Sequence, residues 1–146
     1  VRGGNEVAIF VTRRSRSEVL VVHRSPAQGG YWHTVAGAVE PGELPADAAL
    51  RELHEETGLS AETLAPGGAE FTYPLAGEPA GRRTLYEDGL LEVHVDCFLV
   101  DAPDDWEPML DWEHDGYRWL PAAEAPGALF WADTADALRR LLDGTP

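Results

Sequence analysis

Apolar, largely β-branched residues fill Glu6 to Thr12 (EVAIFVT) and Glu18 to Arg24 (EVLVVHR), with the polar Arg13 to Ser17 between them. That pattern predicts two strands joined as a hairpin. A Pro/Gly loop follows at Ser25 to Gly30, and Tyr31 to Ala36 (YWHTVA) leads into Gly37. From Leu44 to Thr57, Ala46, Ala49, Leu50 and Leu53 fall on one helical face, with Pro45 in the first turn and Gly58 as the stop. Phe71 to Leu75 reads as a short strand, and Gly77 to Arg83 (GEPAGRR) as an exposed loop or hairpin tip. Leu90 to Val100 alternates around Glu92, His94 and Asp96, which predicts a strand with one polar face. The acidic, Pro-containing Ala102 to Glu113 reads as a loop. Gly116 to Leu120 is then a short strand, Pro121 to Ala125 a helical turn, and Phe130 to Leu142 a closing amphipathic helix. Neither repeats nor a linker divide the chain, so one domain over residues 1–146 is expected, an α/β fold with a mixed β-sheet flanked by helices.

The helix from Leu44 to Thr57 carries a second pattern. Glu52, Glu55 and Glu56 stand at i, i+3 and i+4 and crowd one face. Like charges so spaced each cost about a few tenths of a kcal/mol. Glu55 and Glu56 also sit at the C-terminal end, where the helix dipole disfavours anions. Stability alone does not explain this choice. Acid-rich helices are usually solvated faces, but three hard oxygen donors beside a glycine loop also suit a magnesium site.

Composition narrows the chemistry. The net charge of −15 and isoelectric point near 4.5 disfavour polymeric nucleic acid and anionic membranes as partners. An acidic chain still binds anionic phosphates when divalent cations bridge the two. All 11 basic residues are arginine, so Schiff-base lysines and a P-loop lysine are excluded. Cys97 lies alone in an apolar run, which leaves no disulfide framework and no zinc cluster. The longest apolar runs are strand-length, with no signal peptide or membrane span, and a cytoplasmic location is expected.

The whole stretch reads Gly37, five residues, Glu43, seven residues, Arg51-Glu52-Leu53, one residue, Glu55-Glu56, one residue, Gly58-Leu59. It resembles the Nudix box at every fixed position. At ordinary residue frequencies a chance match is on the order of 10⁻⁹ per start position. The resemblance implies the Nudix α/β/α sandwich and a metal-dependent pyrophosphohydrolase. It implies that Glu52, Glu55 and Glu56 hold one or more Mg²⁺ or Mn²⁺ ions, Glu52 and Glu56 foremost, with the backbone carbonyl near Ala36 or Gly37 as a further ligand. Arg51 and Glu43 are then orienting residues that pair between loop and helix. The reaction implied is attack of water on phosphorus, with Glu55, Glu56 or Glu113 as the catalytic carboxylates.

Outside the box, Trp112-Glu113-His114 followed by Tyr117-Arg118-Trp119-Leu120 is similar to a segment of bacterial dihydroneopterin triphosphate and dATP pyrophosphohydrolases. That likeness makes Glu113 a candidate ligand or base. Arg24, ending the second strand, is a candidate phosphate contact, and Trp106 and Trp112 are candidates to stack on a base. His23, His33, His54 and His94 receive no role. The expected substrate is a nucleoside or pterin triphosphate, or another nucleoside-diphosphate-linked metabolite. A nucleotide sugar, a dinucleoside polyphosphate, an RNA cap, or a binding module without turnover are the alternatives, and a homodimer is compatible with all of them.

Overall fold

The computed structural model describes residues 2–144 other than 77 and 79. Its centre is β1 (Asn5–Arg13), whose run from Val7 to Arg13 is buried on both faces. Such a strand needs layers on either side. The other strands are β2 (Glu18–Arg24), β3 (Trp32–His33), β4 (Val35–Ala38), β5 (Ala69–Pro74), β6 (Glu92–Asp101) and β7 (His114–Pro121). β1 pairs parallel with β6 over its length, from Asn5 opposite His94 to Thr12 opposite Asp101. On its other edge it is shared: Thr12 and Arg13 pair with β2, whereas Glu6 to Ile9 pair with β4. The expected hairpin therefore forms at its tip and then splays. β2 turns away to pair with β3 and β7, and β5 closes the far edge against β6.

The helices cover both faces. They are α1 (Pro45–Thr57), α2 (Ala80–Arg83), α3 (Ala125–Ala128) and α4 (Ala132–Asp143). Val7, Ile9, Val11, Leu20, Val22 and Val35 pack with Ala48, Ala49 and Leu53 of α1. Ala8, Phe10, Val19, Val93, Val95 and Leu99 pack on the opposite face with Leu138 and Leu141 of α4. This is the expected α/β/α sandwich on a mixed sheet.

Local chemistry sets the boundaries of α1. Pro45 occupies the first turn, where its missing N–H costs nothing. Gly58, at φ 81°, takes the left-handed stop and donates its N–H to the His54 carbonyl. Three shorter expectations are corrected. Ala80 to Arg83 is a helical turn and not a loop, secured as Arg83 donates to the Leu90 carbonyl at 2.8 Å; Gly77 and Pro79 lie outside the described residues. α3 starts at Ala125, after β7 has run on to Pro121. α4 starts at Ala132, which leaves the exposed Phe130 and Trp131 in front of it.

Candidate active site

The site forms where α1 lies against β4. Val7 of β1 pairs opposite Gly37 of β4, and the Glu52 carboxylate sits where a side chain at Gly37 would be. Any Cβ there would collide with that carboxylate, so a larger residue would push Glu52 out of this position. Arg51 binds the turn before the helix. Its Nε and Nη2 donate to Glu43 at 2.8 and 2.9 Å, and Nη2 also donates to the Ala38 carbonyl at 2.9 Å. Its Nη1 reaches Glu52 at 3.0 Å and Glu55 at 3.3 Å. One guanidinium thus spans loop, strand and helix. The bidentate pair with Arg51 holds the Glu43 carboxyl down at about 2.

The three box glutamates do not share one environment. Glu55 is exposed, Glu52 is largely covered, and Glu56 is 2% exposed. At 100° per residue Glu56 lies beside Ala49 and Leu53, the core-facing pair, and so points inward. Burial above all, then the neighbouring Glu52 carboxylate and the charges of Glu113 and Asp111, push the Glu56 carboxyl up to about 10. Its Oε1 is buried without a hydrogen-bond partner among the described residues.

The loop from Ala102 to Glu113 completes the site because the Met109 N–H donates to the Thr57 carbonyl at the end of α1. Ser25, directly after β2, holds the other end of this loop, its N–H donating to the Glu113 carbonyl at 2.8 Å and its Oγ to the Trp112 carbonyl at 3.0 Å. The β2–β7 register shifts between His23 and Arg24, so that Arg24 pairs opposite His114. Arg24 Nη2 comes within 3.8 Å of Glu113 and donates at 2.9 Å to Gln28 Oε1, so this guanidinium already has partners.

The structure therefore gathers Gly37, Glu43, Arg51, Glu52 and Glu55 in one network, and brings Glu113 and Arg24 to the end where Glu56 is buried. Among the described residues, the group whose ligand atoms all fall within 4.8 Å of one another is a different one, Glu70, His94 and Asp96 on the β5–β6 ladder. Of the box carboxylates, Glu52 stays covered and next to the inward-turned Glu56, whereas Glu55 reaches solvent. His114, in the sequence only a member of the Trp112-Glu113-His114 segment, has its imidazole fully buried between Asp111 and Glu56.

A divalent cation fits this donor set. The buried Glu56 carboxylate is opposed by three neighbouring acids, and Gly37, with no side chain of its own, lets the Glu52 carboxylate lie against its backbone. All the donors are hard oxygens, as Mg²⁺ and Mn²⁺ prefer.

On the opposite side of β4, where Ala36 points, lies a cavity of about 340 Å³. Tyr31, Phe71, Tyr73 and Trp131 supply its aromatic lining, and Glu78, Arg82 and Asp133 its charges. Glu6 also lines it but is saturated, accepting from Tyr73, Tyr86 and Arg2 at 2.7 Å each. His33 joins cavity to site: desolvation, then the charges of Arg24, His114 and Arg82, lower its imidazole to about 3, so it is neutral. Trp106 packs edge-on against Trp119 and Trp112 is 73% exposed, so neither tryptophan lines this cavity. The sequence signal for the cavity is the aromatic cluster Tyr31-Trp32-His33 together with Phe130-Trp131, split across the chain.

The NUDIX domain family model matches residues 4–141, and the chain belongs to that family. It is 32% identical over 135 residues to the octanoyltransferase of Myxococcus xanthus, covering 92% of this chain and 35% of that protein. It is 30% identical over 109 residues to the RNA pyrophosphohydrolase of Rhizobium meliloti (strain 1021), covering 67% of this chain and 63% of that protein. The chain thus spans less than two thirds of the length of either relative. The E. coli dihydroneopterin triphosphate pyrophosphohydrolase structure superposes with a TM-score of 0.77 at 21% identity, covering 97% of both chains, a likeness of fold. Among the described residues no helix is long and apolar enough to cross a membrane.

Gly37→Ala tests the cradle. Mg²⁺ should raise the wild-type melting temperature well beyond an equal ionic strength of NaCl, because it binds the folded site and not the unfolded chain. Gly37→Ala should lose that Mg²⁺-specific increment, since the new Cβ displaces Glu52. Equal shifts by both salts in the wild type would mean that the cluster binds no divalent cation specifically.

Proposed function

We propose that this protein hydrolyses a phosphoanhydride bond in a small nucleoside- or pterin-type triphosphate, with a divalent metal as cofactor. The observation that carries this reading is the buried Glu56 carboxylate, crowded by Glu52, Glu113 and Asp111 beside the Gly37 cradle, one strand away from an aromatic cavity. Glu52, Glu56, the more exposed Glu55 and the Gly37 backbone would hold Mg²⁺ or Mn²⁺, and Glu113 is a further candidate ligand. When bound, such an ion supplies Lewis acidity to the phosphate oxygens and eases deprotonation of water.

The chain's own residues do the rest. Arg51 keeps Glu52 and Glu55 oriented through its anchor on Glu43. Glu113 approaches from the β7 side and accepts the proton of the attacking water. Tyr31, Trp131 and Tyr73 form walls against which a flat heteroaromatic ring packs. The Asp133 and Glu78 carboxylates offer acceptors to ring N–H groups, and neutral His33 stands between ring and phosphates. The relative from Rhizobium meliloti is named an RNA pyrophosphohydrolase, which is the same bond chemistry. A net charge of −15 favours a small substrate over polymeric RNA here.

A substrate panel with product identification tests the reading. It should hold nucleoside and pterin triphosphates, nucleotide sugars, dinucleoside polyphosphates and capped RNA, each with Mg²⁺ and Mn²⁺. The expected result is release of pyrophosphate and a monophosphate from a heteroaromatic triphosphate. No turnover of any member by the metal-loaded wild type would overturn it.

A further inference from the structure

His114 is the most deeply buried titratable side chain near the site, with no exposed side-chain surface. Its Nδ1 lies 2.9 Å from Asp111 Oδ1. A carboxylate only accepts, so the ring serves both of its neighbours only with a proton on each nitrogen, Nδ1 toward Asp111 and Nε2 toward Glu56. That Nε2 has no hydrogen-bond partner among the described residues, and it lies 3.6 Å from Glu56 Oε1, which has none either. Buried polar atoms are rarely left unsatisfied, and here two of them face each other just beyond hydrogen-bond distance. A residue serving only to fill space would be better replaced by an apolar one. The polar chain Asp111–His114–Glu56 needs another reason.

We propose that His114, held by Asp111, is a positioning residue that fixes the Glu56 carboxylate, keeping Oε1 turned inward so that the other oxygen meets the cation in one orientation. The proposal rests on reading Glu56 as a metal ligand. Partners of this outer kind set the rotamer of a ligand, and losing one typically weakens metal binding about 10–100-fold. The register shift that pairs Arg24 opposite His114 and the loop anchor at Met109 place the imidazole here. The Asp111 contact then removes ring rotation. Neither contact is visible from the spacing of the box.

Mn²⁺ binding, followed by electron paramagnetic resonance, tests the idea without turnover. An asparagine at this position places its amide near the Nδ1 position and keeps Asp111, but it does not reach Glu56. A glutamine reaches the Nε2 position and can donate to Glu56. His114→Asn should weaken Mn²⁺ binding about 10–100-fold, whereas His114→Gln should stay close to wild type. Turnover at fixed metal should follow the same order, with kcat falling and substrate KM unchanged. Asp111→Asn, at a less buried position, should show a milder form of the same defect and keeps the test open should a His114 variant not fold. Equal Mn²⁺ affinity in wild type, His114→Asn and Asp111→Asn would overturn the proposal, as would losses that merely track melting temperature. Glu56→Gln is the control: if it binds Mn²⁺ as wild type does, the assignment of Glu56 as a ligand fails, and this inference with it.

Discussion

Replacing Glu56 by glutamine is expected to abolish turnover while leaving the metal-free chain as stable as wild type, or more so. The loss should exceed the about 10–100-fold typical of removing a ligand's outer partner, because here the ligand itself is neutralised. Stability moves the other way because of where the carboxyl sits. Desolvation above all, with Glu52, Glu113 and Asp111 adding to it, pushes its folded pKa to about 10, against an ordinary value of 4.5. Between those values the folded chain holds a proton that the unfolded chain has released, so metal-free stability falls as pH rises through that window. Glutamine carries no such proton. Melting curves in a chelator should therefore slope downward with pH for the wild type, and that contribution should be missing in Glu56→Gln, which gains most at alkaline pH. Mg²⁺ should reverse the wild-type penalty, since a cation favours the carboxylate. Full activity of Glu56→Gln at saturating Mg²⁺ would remove this residue from the site.

How far the sequence carries such reasoning depends on the range of the contacts involved. The α1 helix was legible to within a residue because its signals are local: Pro45 at the start, Gly58 at the stop and Ala49 and Leu53 on one face. The hairpin tip was legible for the same reason. Its splaying was not, since β1 is shared between β2 and β4 through pairings fixed only when the whole sheet forms. The same limit applies within the box. Spacing groups Glu52, Glu55 and Glu56 on one face, yet it does not say that the Met109 loop will cover Glu56 while Glu55 stays in solvent. The role offered to Trp106 and Trp112 rested on their being in a loop. Which aromatics surround the cavity depends instead on how Tyr31, Tyr73 and Trp131 meet across β3, β5 and the start of α4. Asp111 and His114 lie three apart in sequence, but their significance comes from Glu56, far away along the chain.

Glu113→Gln is expected to lower the maximal rate by ~10²–10⁴, the range for losing a general base, with little change in substrate KM. The box helix supplies its carboxylates from one side, so water and phosphate must be met from another element. The acids nearby are largely committed elsewhere. Asp101 binds Thr12 and Arg16, Asp104 accepts from the Arg14 N–H, and Glu107 is held by Arg13, Tyr117 and Trp119. Asp111 is tied to His114 and Asp115 to His23. Glu113 is different: its carboxylate comes no nearer than 3.8 Å to Arg24, is partly exposed, and lies close enough to Glu56 to shift it. Its backbone, by contrast, is fixed by Ser25. A side chain free to move on a fixed backbone suits a group that must take a proton and release it. Asp105, exposed in the same loop, has no such placement, and Asp105→Asn should leave rate and KM near wild type. If Asp105→Asn slows turnover and Glu113→Gln does not, the second carboxylate belongs to the middle of the loop, and the proton leaves the attacking water by another route.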